Sequence, residues 1–168
     1  MPYRWCFKME KHNIAPVFDR NSRILILGSF PSVKSREAEF FYAHPQNRFW
    51  KVISRLLECE CPVTVEEKRE MLINNGIAVW DVIESCDIEG SGDSTIKNVK
   101  VNSFDKILKT ADIKRIFCNG AASYKLYHKY CEPQTGIGAV KLPSTSPANA
   151  AFSLERLIRE WKVILEAL

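Results

Sequence analysis

Ile24-Leu25-Ile26-Leu27-Gly28-Ser29-Phe30-Pro31-Ser32 is the stretch that decides the fold. Four apolar residues, stopped at once by Gly, Ser and Pro, read as a short strand running into a tight turn. Three further runs repeat the pattern, Ile77–Trp80, Arg115–Cys118 and Ala139–Leu142, each bounded by Gly, Pro or Asn. The segments between them carry helical spacing instead. Phe49, Trp50, Val52, Ile53, Leu56 and Leu57 form one apolar face starting just after Pro45 and Asn47, with Asn47 placed to cap it. Thr64-Val65-Glu66-Glu67 fits a capping box, and Gly76 takes the C′ position of the same helix. Asn102 is placed to cap a short helix carrying Phe104, Ile107 and Leu108, and Ala121–Tyr130 follows the third strand directly. Leu154, Leu157, Ile158, Trp161, Leu165 and Leu168 recur at three- and four-residue steps, the clearest helical stripe in the chain. Strands alternating with helices predict parallel pairing through right-handed crossovers, with helices on both faces. The expected fold is α/β, a three-layer α/β/α sandwich with a central four-stranded parallel sheet. Ligands of such open sheets lie beyond the carboxyl ends of the strands. The segments to inspect therefore follow Leu27, Trp80, Cys118 and Leu142.

Composition sets the outer bounds. A length of 168 residues predicts one domain, spanning 1–168. With 46% apolar and 26% charged residues the chain is not of disordered type. Lys plus Arg (24) against Asp plus Glu (20) leaves +4, which permits a polyanionic partner without demanding one. No apolar run approaches the roughly 18 residues needed to span a bilayer, so no membrane association is expected. Met1–Lys8 lacks the apolar region of a signal peptide. The six cysteines (Cys6, Cys59, Cys61, Cys86, Cys118, Cys131) are scattered, and Cys59-x-Cys61 lacks the second pair a zinc site requires. Free, reduced thiols and a cytoplasmic location are expected, with no metal and no cofactor.

Three strand ends carry candidate chemistry. Gly28 allows a tight turn in which small residues let backbone N–H groups approach a ligand, although a plain βα turn reads the same way. No Gly-Lys-Ser/Thr follows and no G-x-G-x-x-G is present, which excludes the Walker and dinucleotide classes. Phe40-Phe41-Tyr42-Ala43-His44-Pro45-Gln46-Asn47-Arg48-Phe49-Trp50 interleaves aromatics with His, Asn and Arg just before a helix. That mixture suits a flat heterocycle held by stacking and hydrogen bonds, a nucleobase above all. Asn119-Gly120 can turn its amides toward the same crevice. Pro143-Ser144-Thr145-Ser146-Pro147-Ala148-Asn149 is a hydroxyl-rich loop entering the last helix, a ready device for phosphate and equally for capping.

Taken together, Gly28–Ser32, Ala43-His44-Pro45-Gln46-Asn47-Arg48-Phe49-Trp50-Lys51-Val52-Ile53, Ala78–Cys86, Gly90–Asn98 and Leu142–Asn149 resemble the uracil-DNA glycosylase superfamily. The resemblance is to its hypoxanthine-DNA glycosylase branch (family six), related to the mismatch-specific uracil/thymine-DNA glycosylases. It implies a monofunctional base-excision enzyme that flips a deaminated base, hypoxanthine or uracil, out of DNA. The C–N bond then breaks toward an oxocarbenium-like sugar and an anionic base, so water must be activated and the leaving base stabilised.

By the same resemblance the catalytic residue is Asn47, its carbonyl orienting water. Many relatives place an activating Asn or Asp in the first turn, where this chain has Phe30. Tyr42 is the expected stacking ring, and Gly28, Ser29, Phe30 and Asn119 the expected readers of the base. Ser32, Ser144, Thr145 and Ser146 are expected to grip the DNA, with Ala148 at the position of the wedge that fills the vacated stack. The expected partner is DNA containing a deaminated base, met by a monomer. Lys34, Arg36, Arg48 and Lys51 lie near in sequence and are expected to form a basic rim. Two other readings use the same crevice: a non-catalytic module that senses a damaged base, and a small-molecule nucleoside hydrolase.

Overall fold

The computed structural model describes residues 9–168. Cys6 and the segment Met1–Lys8 lie outside the described residues. In chain order the elements are β1 (Met9–Lys11), β2 (Ile24–Gly28), α1 (Val33–Ala38), α2 (Phe49–Leu56), α3 (Val65–Asn74) and β3 (Ile77–Asp81). Then come β4 (Ile83–Asp87), β5 (Lys97–Val101), α4 (Asp105–Thr110), β6 (Arg115–Asn119) and α5 (Ala121–Leu126). The chain continues through a π-helical stretch, Tyr127–Cys131, to α6 (Glu132–Thr135), β7 (Ala139–Leu142) and α7 (Leu154–Trp161).

The expected four-stranded parallel sheet is present, ordered β3-β2-β6-β7. All of β2 is buried, and its side chains alternate between two cores. Ile24 and Ile26 face one side with Phe49, Val52, Ile53, Leu72, Leu157 and Trp161 of α2, α3 and α7. Leu25 and Leu27 face the other with Phe104 and Ile107 of α4 and its entry, and Tyr127 and Cys131 beyond α5. That alternation makes the three layers. Each buried Leu or Ile removed from water contributes about 1.5–3 kcal/mol. The chain leaves β2 for β3 on one flank and later returns to β6 on the other. The carboxyl ends of β2 and β6 thus flank the switch point where a crevice opens.

Several local expectations hold. Thr64 Oγ1 accepts from Glu67 N–H at 3.1 Å while Glu67 accepts back from Thr64 N–H at 3.2 Å, completing the capping box. Gly76, at φ 72°, follows Asn75 as the left-handed residue closing α3. Others differ. Asn102 does not cap α4; its buried amide donates 2.9 Å to the carbonyl of Asp81 at the end of β3. The last stripe is α-helical only to Trp161 and then tightens to a 3₁₀ turn over Lys162–Ala167.

A second sheet, absent from the sequence reading, is antiparallel in the order β1-β4-β5. Its β4–β5 hairpin accounts for the segment Glu84–Asn98. Phe30, Ile83, Cys86 and Ile88 form a small core beneath it. Two further hydrogen bonds fasten the hairpin loop to α1, from Val33 N–H to Ser91 Oγ and from Arg36 to the Gly90 carbonyl. No helix among the described residues is long and apolar enough to cross a membrane. Cys59, Cys61, Cys86, Cys118 and Cys131 are free thiols.

Candidate active site

The segments after β2, β3, β6 and β7 meet around one cavity of about 330 Å³. Its walls include Gly28, Ser29, Phe30 and Ser32 of the first turn, Tyr42 and Asn47 before α2, and Asn119 at the end of β6. Ser144, Thr145, Ser146 and Ala148 close it from the loop after β7. The volume is within the range of small-ligand pockets.

Asn47 is set by its neighbours. Its Oδ1 accepts from the Phe49 backbone N–H at 2.9 Å, which makes an Asx turn into α2. The same oxygen accepts from Thr145 Oγ1 at 2.9 Å. Because a backbone N–H can only donate, the oxygen of the carboxamide must be the atom at this position. Thr145 Oγ1 in turn accepts from Asn119 Nδ2 at 3.0 Å, and Thr145 N–H donates to Asn119 Oδ1 at 3.0 Å. The result is a directed chain, Asn119 to Thr145 to Asn47, with every proton assigned. Both lone pairs of the Asn47 carbonyl are therefore used. The sequence reading gave that carbonyl to a water; the group the structure leaves to a ligand is Nδ2, a donor.

Thr145 also differs from expectation. It is fully buried and its hydroxyl is spent between two asparagines, so it is not available to a phosphate. Ser144 and Ser146 are partly exposed, and each hydroxyl accepts from a backbone N–H two residues on, at 3.1 and 3.2 Å. Pro147 and Ala148 form the exposed tip. Three sets of contacts hold this loop in place. Trp161 Nε1 donates 2.9 Å to the Pro143 carbonyl, and Arg48 donates to the carbonyls of Ser146, Asn149 and Phe152. Arg48 N–H adds a 3.0 Å bond to the Thr145 carbonyl. Arg48 is thus a brace within the protein, not a free cation on a rim. Arg36 is likewise engaged, with Glu10 at 3.4 Å, the Gly90 carbonyl and the Phe30 ring, and Lys34 pairs with Glu37.

The first turn offers donors more than acceptors, since Val82 and Ile83 N–H groups already bind the Gly28 and Ser29 carbonyls at 2.8 and 3.0 Å. Ser32 caps α1, accepting from Ser35 N–H at 3.1 Å. Phe30 borders the cavity, but its side chain is buried under the hairpin. Tyr42 has φ 52°, a left-handed conformation that costs an L-residue roughly 1–2 kcal/mol. One face of its ring lies on Phe49, with centroids 4.1 Å apart. Its hydroxyl is buried, with no hydrogen-bond partner among the described residues. Burial and then the Asp81 carboxylate push the Tyr42 phenol well above its ordinary pKa, with the Asn119 amide opposing.

Cavity residues not assigned to the site from sequence include Asp81, Ser91 and Asp93. Asp81, at the end of β3, is nearly fully buried and accepts from His12 Nε2 at 2.7 Å. Ile14 N–H donates to His12 Nδ1, which fixes the proton on Nε2. A Cβ on residue 28 would come within 2.4 Å of Asp81 Oδ1, so only glycine fits there. Ser91 and Asp93 reach the cavity from the β4–β5 hairpin, and Ser29 Oγ donates 2.8 Å to Asp93 Oδ1. Burial raises the Asp93 pKa, with Ser29 opposing and Asp81 adding to the rise. A carboxylate at a strand end was the available signal for Asp81; Asp93 lies in the stretch Gly90–Asn98 that carries the resemblance, which gives it no role. Among the described residues no three His, Cys, Asp or Glu side chains gather as a metal site.

Comparison with known proteins identifies the family. Residues 15–166 match the family model for the uracil DNA glycosylase superfamily. A hypoxanthine DNA glycosylase of Methanosarcina acetivorans is 34% identical over 160 residues, covering 93% of this chain and 98% of the relative. A hypoxanthine DNA glycosylase of Methanosarcina barkeri is 34% identical over 117 residues, covering 68% and 74%. A solution NMR structure from Methanosarcina acetivorans, described provisionally as a uracil DNA glycosylase, superposes with a TM-score of 0.79 at 31% identity. It covers 94% of this chain, and this chain covers 96% of it. The chain belongs to the uracil DNA glycosylase superfamily.

Proposed function

We propose that the chain is a monofunctional DNA N-glycosylase that extrudes a deaminated base, hypoxanthine foremost, and hydrolyses its bond to the sugar. The observation that carries this reading is the proton-ordered chain Asn119–Thr145–Asn47 beside the Tyr42 ring, all on one small cavity at the switch point of the sheet. The two relatives named hypoxanthine DNA glycosylase support the choice of base. Uracil is the second candidate, since its lactam edge offers the same pattern of donor and acceptor.

In this reading Tyr42 stacks on the flipped base, while Asn119 and backbone N–H groups of Gly28–Phe30 read its edge. Asn47 donates through Nδ2 to the base as negative charge builds on it, a preorganised donor in a partly buried site. Ser32, Ser144 and Ser146 border the path of the backbone, and Ala148 sits at the tip nearest the vacated stack. Action is read as that of a monomer built as one domain, which draws Gly28, Asn47, Asn119 and Thr145 together from distant parts of the chain. Work on the genome and free thiols at five positions support a cytoplasmic setting.

The test is excision. Labelled duplexes carrying deoxyinosine or deoxyuridine are incubated with the protein and then treated with alkali to cut abasic sites. Cleavage at deoxyinosine is expected, with Asn47→Ala slower by tenfold or more. Absence of cleavage on both duplexes would overturn the reading, and binding without cleavage would favour the sensing module.

A further inference from the structure

We propose that Asp93, delivered by the β4–β5 hairpin, is the group that activates water and faces the sugar in the excision reaction. The inference rests on the glycosylase reading above and assigns a residue that the reading leaves open.

Hydrolysis of a glycosidic bond needs a lone pair that can take a proton from water, and most candidates in this cavity are already committed. Asn47 Oδ1 accepts two hydrogen bonds. His44 Nδ1 accepts from Gln46 N–H at 3.1 Å, so in the neutral ring the other nitrogen carries the proton and can only donate. Asp81 is buried, bound to His12 and pressed against Gly28. Asp93 differs from all three. Ser29 holds one carboxylate oxygen at 2.8 Å and fixes the orientation of the group, while the other oxygen accepts no hydrogen bond from the described residues.

Its place in the molecule is the stronger argument. Asp93 lines the cavity that would take the base. It also lines the adjoining groove formed with Ser144, Ser146 and Ala148, where the backbone would run. The sugar is the covalent link between base and phosphate, so a residue shared by both spaces borders the sugar. A carboxylate there opposes the approach of phosphate unless it serves the reaction. It does so in two ways: it stabilises the positive charge that develops on the sugar, and it accepts a proton.

The step balances. The bond between C1′ and the glycosidic nitrogen breaks and its electron pair leaves with the base. The water oxygen bonds to C1′, and the water proton passes to the free oxygen of Asp93. The base, now anionic, recovers a proton from Asp93 or solvent, leaving an abasic site with a hydroxyl at C1′.

The test compares wild type with Asp93→Asn, which keeps an acceptor for Ser29 and lies on an exposed hairpin. Single-turnover excision from a deoxyinosine duplex is measured beside affinity for the same duplex before cleavage. The expected result is a rate lower by about a hundredfold or more, with affinity equal or tighter because a negative charge has been removed. A rate loss under tenfold overturns the assignment while leaving the glycosylase reading intact. Wild type that excises neither base overturns both.

Discussion

Thr145 Oγ1 donates 2.9 Å to Asn47 Oδ1, joining residues 98 positions apart, and it does so with the one proton it has. The direction of that bond decides what Asn47 can do. If the hydroxyl is removed, the carboxamide loses its lock and Asn119 Nδ2 loses an acceptor. Thr145→Val should therefore destabilise the fold by about 1–3 kcal/mol, the cost of stranding buried polar groups. It should slow excision at least tenfold, whereas Thr145→Ser should retain most of both. Denaturant unfolding and single-turnover kinetics on the same preparations would check this.

Arg48 looks from sequence like a phosphate contact, and its geometry says otherwise. Its guanidinium binds three carbonyls of the loop after β7. Arg48→Met should weaken duplex binding by loosening that loop, yet leave the slope of log affinity against log salt unchanged. A true phosphate contact would lower the slope by about one. Titrations at several salt concentrations separate the two.

How much of this was legible in sequence depended on whether a residue's role is local. The four parallel strands announce themselves because buried runs such as Ile24–Leu27 have no polar interruption. The Thr64 capping box needs only its own four residues. The β4–β5 hairpin hides because its pairing shifts register between Ile83 and Ser85 and again before Asp87, which blurs the alternation. Asn102 has the right type for a cap and was drawn instead to a buried carbonyl from another strand. Asp93 reads as one more solvated charge until Ser29, 64 residues earlier, is brought beside it. Tyr42 and Asn47 were singled out through the family resemblance of one aromatic- and amide-rich turn; the hydrogen-bond direction at Asn47 is long-range and invisible there.

The thiols supply a pH-dependent check on the packing. Burial pushes Cys86 and Cys131 up to about 11 and Cys118 up to about 12, while Cys59 and Cys61 are exposed. A raised pKa leaves almost no thiolate near pH 8, and the thiolate is the reactive form. Iodoacetamide at that pH should label Cys59 and Cys61 well ahead of Cys86, Cys118 and Cys131, which react only on unfolding. Peptide mapping over time would show it, and early labelling of Cys118 would contradict the burial of β6.

The loop after β7 has a consequence for how the protein is made. Synthesis runs from the amino end, so β2, the Tyr42 turn and Asn47 leave the ribosome long before Ser144, Thr145 and Ser146 do. Until then Asn47 has no threonine to orient it and the cavity lacks a wall. The cavity is therefore assembled only once the loop after β7 has been made.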